Sequence, residues 1–160
     1  MTSVNRTRNI YQSAREAHGM TQEAVAEKLF ISVDSLRAYE TGRRRPPDDV
    51  VQDMVNLYQD KYLGYLHMRS SPLASCIPRV DIQGVQQAAM RIVRLIGKFA
   101  RAGRVDQLLE IAEDGKIDER EKPVFREIMD ELTQIVESVL ALNFAGTGRT
   151  LTGDEYNKAG

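Results

Sequence analysis

The sequence predicts an all-α protein built from two small helical domains. Apolar residues recur along it at steps of three and four, and no segment sustains the two-residue alternation of β-branched residues that marks a strand. Between the helical stretches, Ser70-Ser71-Pro72 and Ile77-Pro78 bring two prolines close together, which breaks any continuous helix and leaves an extended connection. The expected organisation is a first domain over residues 1–70, a linker over 71–78, a second helical domain over 79–145, and a flexible, apolar-poor tail over 146–160.

With 160 residues and 42% hydrophobic content the chain can bury two modest cores. It has no run of about 18 apolar residues for a membrane span. Met1 to Arg8 is polar and unlike a leader, so the chain reads as cytoplasmic with no membrane partner. Cys76 is the single cysteine and only two histidines accompany it, so neither an internal disulfide nor a zinc site is expected, and no metal or cofactor is called for. Net charge is −1, with 10 Lys+Arg against 9 Asp+Glu up to Ser70 and 12 against 14 beyond it. A case for nucleic acid must therefore come from where the charges sit, not from how many there are.

The informative stretch is Gly19 to Pro46, GMTQEAVAEKLFISVDSLRAYETGRRRP. Thr21 caps a helix from Gln22 to about Leu29, and Glu23 suits its electropositive first turn. Val25, Ala26 and Leu29 share one face, with Ala26 small where a second helix crosses. After the short turn Phe30-Ile31, Ser32 caps a second helix to about Glu40, with Leu36 and Tyr39 as its core contacts, and Gly42 ends it. Two short helices at a tight turn, the second polar on its outer side and followed by arginines, suit the major groove.

On the residues Gly19-Met20-Thr21-Gln22-Glu23, Ala26-Glu27-Lys28-Leu29, Ile31-Ser32, Tyr39-Glu40 and Gly42-Arg43-Arg44-Arg45-Pro46, the segment from about 9 to 60 resembles the Xre-type helix-turn-helix of the lambdoid repressors and Cro proteins. The resemblance implies a five-helix lambda-repressor-like DNA-binding domain. In it a helix from about Val4 to His18 and another from about Pro47 to Tyr58 pack around the central pair, with a fifth over Lys61 to Arg69. By position, it implies that Gln22 reaches a phosphate or braces the recognition helix, and that Ser32 meets phosphate. Val33, Asp34 and Ala38 take the places that point at base edges, flanked by Ser35 and Arg37. Arg43, Arg44 and Arg45 become phosphate clamps. Phe30 departs from the pattern, since the family often has Gly there to end the first helix at positive φ. Singly, Gln22, Ser32 and Asp34 are ordinary capping or surface residues, and the DNA reading rests on their joint placement. His67 reads as structural.

In the second domain Ile82, Val85, Ala89, Ile92, Ile96 and Phe99 form one apolar seam, and Phe125, Ile128, Leu132, Ile135, Val139 and Leu142 a second, in a long helix beginning near Pro123. Val105 to Ala112 makes a short helix between them. About 65 residues give a thin bundle, so these twelve side chains are expected to serve oligomerisation, as a homodimer or a higher even oligomer. Arg91, Arg94, Lys98 and Arg101 line the far side as a solvated face. Asp114 to Glu121 has some of the spacing of a calcium loop, but Ala112 falls where that loop needs an oxygen ligand, so a glycine turn followed by an Asp118–Glu121 capping box is the expectation. This Asp114-Gly115-Lys116-Ile117 turn is similar to one in helical regulators of phages and mobile elements. The whole points to a sequence-specific double-stranded DNA-binding transcriptional regulator, a repressor of phage or mobile-element type, and not an enzyme. The rival reading is an antitoxin or antirepressor module whose second domain binds a different protein.

Overall fold

The computed structural model describes residues 9–81 and 84–146. The expected start of the first helix at Val4, the seam residue Ile82 and the tail from Thr147 onward lie outside the described residues. Within them the fold is all-α as predicted, with eight α-helices and no strand. The chain divides into two compact units, the first extending to Ile77 and the second running from Pro78 to Gly146.

The first unit contains α1 (Ile10–Ala17), α2 (Gln22–Lys28), α3 (Val33–Glu40), α4 (Asp48–Tyr58) and α5 (Lys61–Arg69), followed by one 3-10 turn at Ala74–Cys76. Side chains at the helix starts take up the orphan backbone donors there. Asn9 Oδ1 accepts from the backbone N–H of Tyr11 and Gln12 at 3.1 and 3.0 Å, which begins α1 at Ile10. Thr21 Oγ1 accepts from Ala24 N at 3.2 Å, Ser32 Oγ from Ser35 N at 3.1 Å, and Asp60 Oδ1 from Tyr62 and Leu63 N. The core gathers Ala14 of α1, Val25, Ala26 and Leu29 of the α2 end, Leu36 and Tyr39 of α3, Val51, Met54 and Tyr58 of α4, and Leu63 of α5. Ala26 is buried, in keeping with a close crossing of α2 and α3. Pro46, also buried, and Pro47 turn the chain from the arginine loop into α4.

Phe30 ends α2 with φ 54°, the left-handed conformation that favours glycine, and its side chain is 95% exposed. The ring therefore contributes no packing that would offset its backbone strain.

The second unit consists of α6 (Val85–Arg101), α7 (Arg104–Ala112) and α8 (Lys122–Ala145). Gly103, at φ 67°, makes the sharp reversal between α6 and α7. Ahead of α8, Asp118 Oδ1 accepts from the N–H groups of Arg120 and Glu121 at 2.7 and 2.9 Å while Glu121 Oε2 accepts from Asp118 N at 2.9 Å, which is the reciprocal box read from the sequence. Pro123 sits in the first turn of α8. Lys98 Nζ lies 3.7 Å from Glu131 Oε1, and Arg104 donates to Glu127 at 2.9 Å and Glu131 at 3.2 Å. The end of α6 thus meets the first half of α8, as in an antiparallel pair, and Arg104 ties the start of α7 to the same stretch of α8.

Replacing Phe30 by Gly should remove strain of about 1–2 kcal/mol against an entropy cost of about 0.5–1 kcal/mol for glycine. The expected outcome is a gain of up to about 1 kcal/mol in urea unfolding of the full chain, with unchanged helicity.

Candidate nucleic-acid interface

The orientation of α3 is set from its buried side. Glu40 closes that helix with a carboxylate only 2% exposed, and a charge so placed must be paired. Arg15 of α1 meets it with two guanidinium donors, Nε to Oε1 at 2.7 Å and Nη2 to Oε2 at 3.0 Å. Gln22 of α2 donates from Nε2 to Oε2 at 2.8 Å, and Arg15 Nη1 donates to the carbonyl of Met20 at 2.7 Å. Three helices and the α1–α2 turn thus share one carboxylate. The resemblance allowed Gln22 either to reach a phosphate or to brace the recognition helix, and its bond to Glu40 ties it to α3. Arg15 and Glu40 were given no role from the sequence, because a pair separated by 25 residues leaves no local signature.

With Leu36, Tyr39 and Glu40 turned inward, the opposite side of α3 is open to solvent. Asp34 and Arg37 project from it and pair with each other at 3.0 Å. Ser32 and Ser35 are linked hydroxyl to hydroxyl at 2.9 Å beside the cap. Ala38 is half-buried, and Val33 packs partly against the core, so only part of its surface is free for a ligand. In the following loop, Arg43 Nε donates to Thr41 Oγ1 at 3.2 Å. The Arg44 guanidinium lies 4.8 Å from the centre of the Tyr39 ring. Asp34, Ser35, Arg37, Ala38, Arg43 and Arg44 line one shallow open hollow, so six of the ten residues singled out for DNA share a single solvent-facing surface.

Arg45 does not line it. Its guanidinium turns toward the end of α5 and donates to the carbonyls of His67 at 3.2 Å and Ser70 at 3.3 Å, where a helix C-terminus favours a cation. His67 is buried and lies between Tyr11 and Asp48, with its Nδ1 2.7 Å from the Tyr11 hydroxyl and Nε2 2.8 Å from Asp48 Oδ1. A carboxylate can only accept, so the Asp48 contact calls for a proton on Nε2, and Arg45 Nη2 lies 3.1 Å from that same nitrogen. The hydrogen bond from His67 holds the exposed Asp48 carboxyl below its ordinary value. Together these groups tie α1, the arginine loop, the start of α4 and the end of α5.

The side chains nominated for oligomerisation separate into two sets. Ile128 is fully buried within its own unit, and Ile92, Phe99, Phe125, Leu132, Ile135 and Leu142 are half-buried, as is the small Ala89, whereas Val85, Ile96 and Val139 remain about half exposed. Lys98, placed on the solvated basic face, is paired with Glu131.

A small bundle holding two short helices at a tight turn, with the second presented outward beside arginines, is the arrangement of a helix-turn-helix domain. Residues 12–59 match a family model described as a helix-turn-helix domain, from α1 through α4. No curated protein and no solved structure matches the chain. Among the described residues no helix is long and apolar enough to cross a membrane.

Truncation of Arg15 to Ala would strand the buried Glu40 carboxylate and should cost about 3 kcal/mol in urea unfolding. Gln22→Ala, which removes one of three bonds to the same group, should cost about 1 kcal/mol. A second expectation concerns alkaline pH. Burial, and then the Glu40 carboxylate, push the Tyr58 phenol well above its ordinary value of 10, and Tyr11 is raised by burial as well. The folded state therefore keeps phenolic protons that the unfolded chain releases. Stability from this source is intact below pH 10 and falls as the pH rises beyond it. Urea titrations on either side of that pH should show the loss, and Tyr58→Phe should flatten it.

Proposed function

We propose that this chain is a sequence-specific transcriptional regulator of the Xre type that binds an operator in duplex DNA as an oligomer and represses by occupying it. The observation that carries the reading is the hollow shared by the outer side of α3 and the loop after it. A helix of eight residues with a polar exposed side fits a major groove, and the arginines at its end fall beside the phosphate backbone. In this reading Asp34 accepts from a cytosine amino group, Ala38 and the free part of Val33 pack on a thymine methyl, and Arg37 and Ser35 contact base or backbone. Ser32 and the first N–H groups of α3 meet a phosphate, and Arg43 and Arg44 clamp two more. Gln22 and Arg45 act from behind, the first on α3 through Glu40 and the second on the loop through α5. The turn at Asp114-Gly115 supports a phage or mobile-element character. The assignment involves binding alone, with no catalytic residue.

Selection of bound duplexes from a random pool at two salt concentrations tests the reading. Recovery of an inverted repeat supports it, and a pool that stays random in dilute buffer overturns it. Once a site is known, the Arg43→Ala/Arg44→Ala double variant should lower the log–log salt slope by about 0.9 per phosphate lost, close to 2 in all. Arg45→Ala should leave that slope near the wild-type value and lower the unfolding free energy instead.

A further inference from the structure

The second unit buries few large side chains of its own. Among its described residues the fully enclosed apolar groups are Val80, Ala88, Ile111, Ile128, Ala141 and Phe144, and two of these six are alanines. Large apolar side chains meanwhile stand in solvent: Val85, Val93 and Ile96 on α6, and Met129, Val136 and Val139 on α8, with Val93 73% exposed.

The ion pair between Lys98 and Glu131 shows that the two sets lie on one side of the hairpin. Two positions apart on an α-helix, side chains project about 160° apart. Ile96 precedes Lys98 by two and Met129 precedes Glu131 by two, so each points away from the ion-paired edge and toward the same opposite side. Stepping by four and three carries the α6 stripe from Val85 through Ala89, Val93 and Ile96 to Ala100, and the α8 stripe from Phe125 through Met129, Leu132 and Val136 to Val139. No stripe position carries a charge. The result is a flat apolar surface two helices wide, with alanines where a partner backbone can approach.

We infer that this side of the α6–α8 hairpin is the dimer interface, occupied by the same side of a second copy to form a four-helix bundle. The inference rests on the proposed oligomeric operator binding and names the surface responsible for it. A two-fold axis sets a patch against itself, which an uncharged apolar strip satisfies without requiring opposite charges, whereas a basic or acidic partner would find nothing to pair with. Covering both copies removes roughly 1,200–1,500 Å² in total, within the size class of specific interfaces. The contact also supplies the large-side-chain core that one hairpin lacks.

Sedimentation equilibrium of the full chain without DNA tests this. Wild type should show twice the 18.1 kDa chain mass at micromolar concentration. Val93→Glu, at a position already in solvent, and Val136→Glu on the other helix should each weaken association by at least about 100-fold with helicity unchanged, while Arg94→Glu, on the exposed basic side of α6, should leave the mass as it is. A wild type monomeric at all concentrations, or both glutamate variants still dimeric, overturns the inference. Because mass is read without DNA, the two failures are distinguishable: a monomer that still selects a duplex sinks the interface and the oligomeric part of the operator reading but leaves duplex recognition standing, and a dimer that selects none sinks the operator reading alone.

Discussion

The first unit is organised around one buried negative charge. Glu40 would be costly inside the bundle without partners, and it has three donor groups, two from Arg15 and one from Gln22. Apolar contacts between small helices tolerate slight sliding, but directional bonds from two neighbouring helices to one carboxylate admit little freedom in the placement of α3. That placement matters to the proposed function, because the side of α3 opposite Glu40 is the solvent-facing side assigned there to DNA. A shift of an ångström at the carboxylate would move Asp34 and Arg37 by a comparable distance, enough to lose hydrogen-bond geometry at a base edge.

The loop after α3 shows how a run of identical residues is divided by the backbone around it. Arg43, Arg44 and Arg45 are consecutive, yet buried Pro46 fixes the direction of the chain just beyond them. Arg45, adjacent to that anchor, reaches the carbonyls at the end of α5. Arg44 rests on the Tyr39 ring, and Arg43 bonds only to the threonine two residues before it. The hydrogen bonds from His67 and Tyr11 reach the same corner, so the root of the loop is held while its tip stays open to solvent.

Much of this was legible in the sequence, and what was not shares a cause. Helix limits followed from local chemistry: Thr21, Ser32 and Asp118 cap as their side chains dictate, Gly42 supplies a positive φ, and Pro123 enters a first turn. The left-handed Phe30 was not read from the sequence, which marked it only as a departure from the glycine pattern; the turn, not the residue, fixes the backbone there. The Arg15–Glu40–Gln22 tie and the Tyr11–His67–Asp48 chain were invisible, since each joins positions far apart and a single sequence holds no record of pairing. The apolar seams of the second unit were read as one surface. Heptad spacing shows that side chains align, but it does not divide those spent on the neighbouring helix, such as Ile128, from those left outside, such as Val139. The division depends on how α6 and α7 meet α8, which the Lys98–Glu131 and Arg104–Glu127 pairs reveal only in three dimensions.

The composition of the exposed side of α3 bears on why a second copy matters. Asp34 sits among arginines and is already paired with Arg37, so in the proposed complex that pair must open or reorient before either side chain serves a base. The carboxylate also repels nearby phosphates unless it finds a cytosine amino group, so most sequences are penalised instead of being merely unrewarded. Such a surface discriminates by rejection and leaves a single copy with low affinity. Joining two copies turns the second encounter into an intramolecular one and multiplies affinity without adding a contact to either half-site. In the proposed dimer the apolar surface of the second unit therefore complements a reading helix that is selective but weak, and the two compact units would divide the choice of site from the joining of copies.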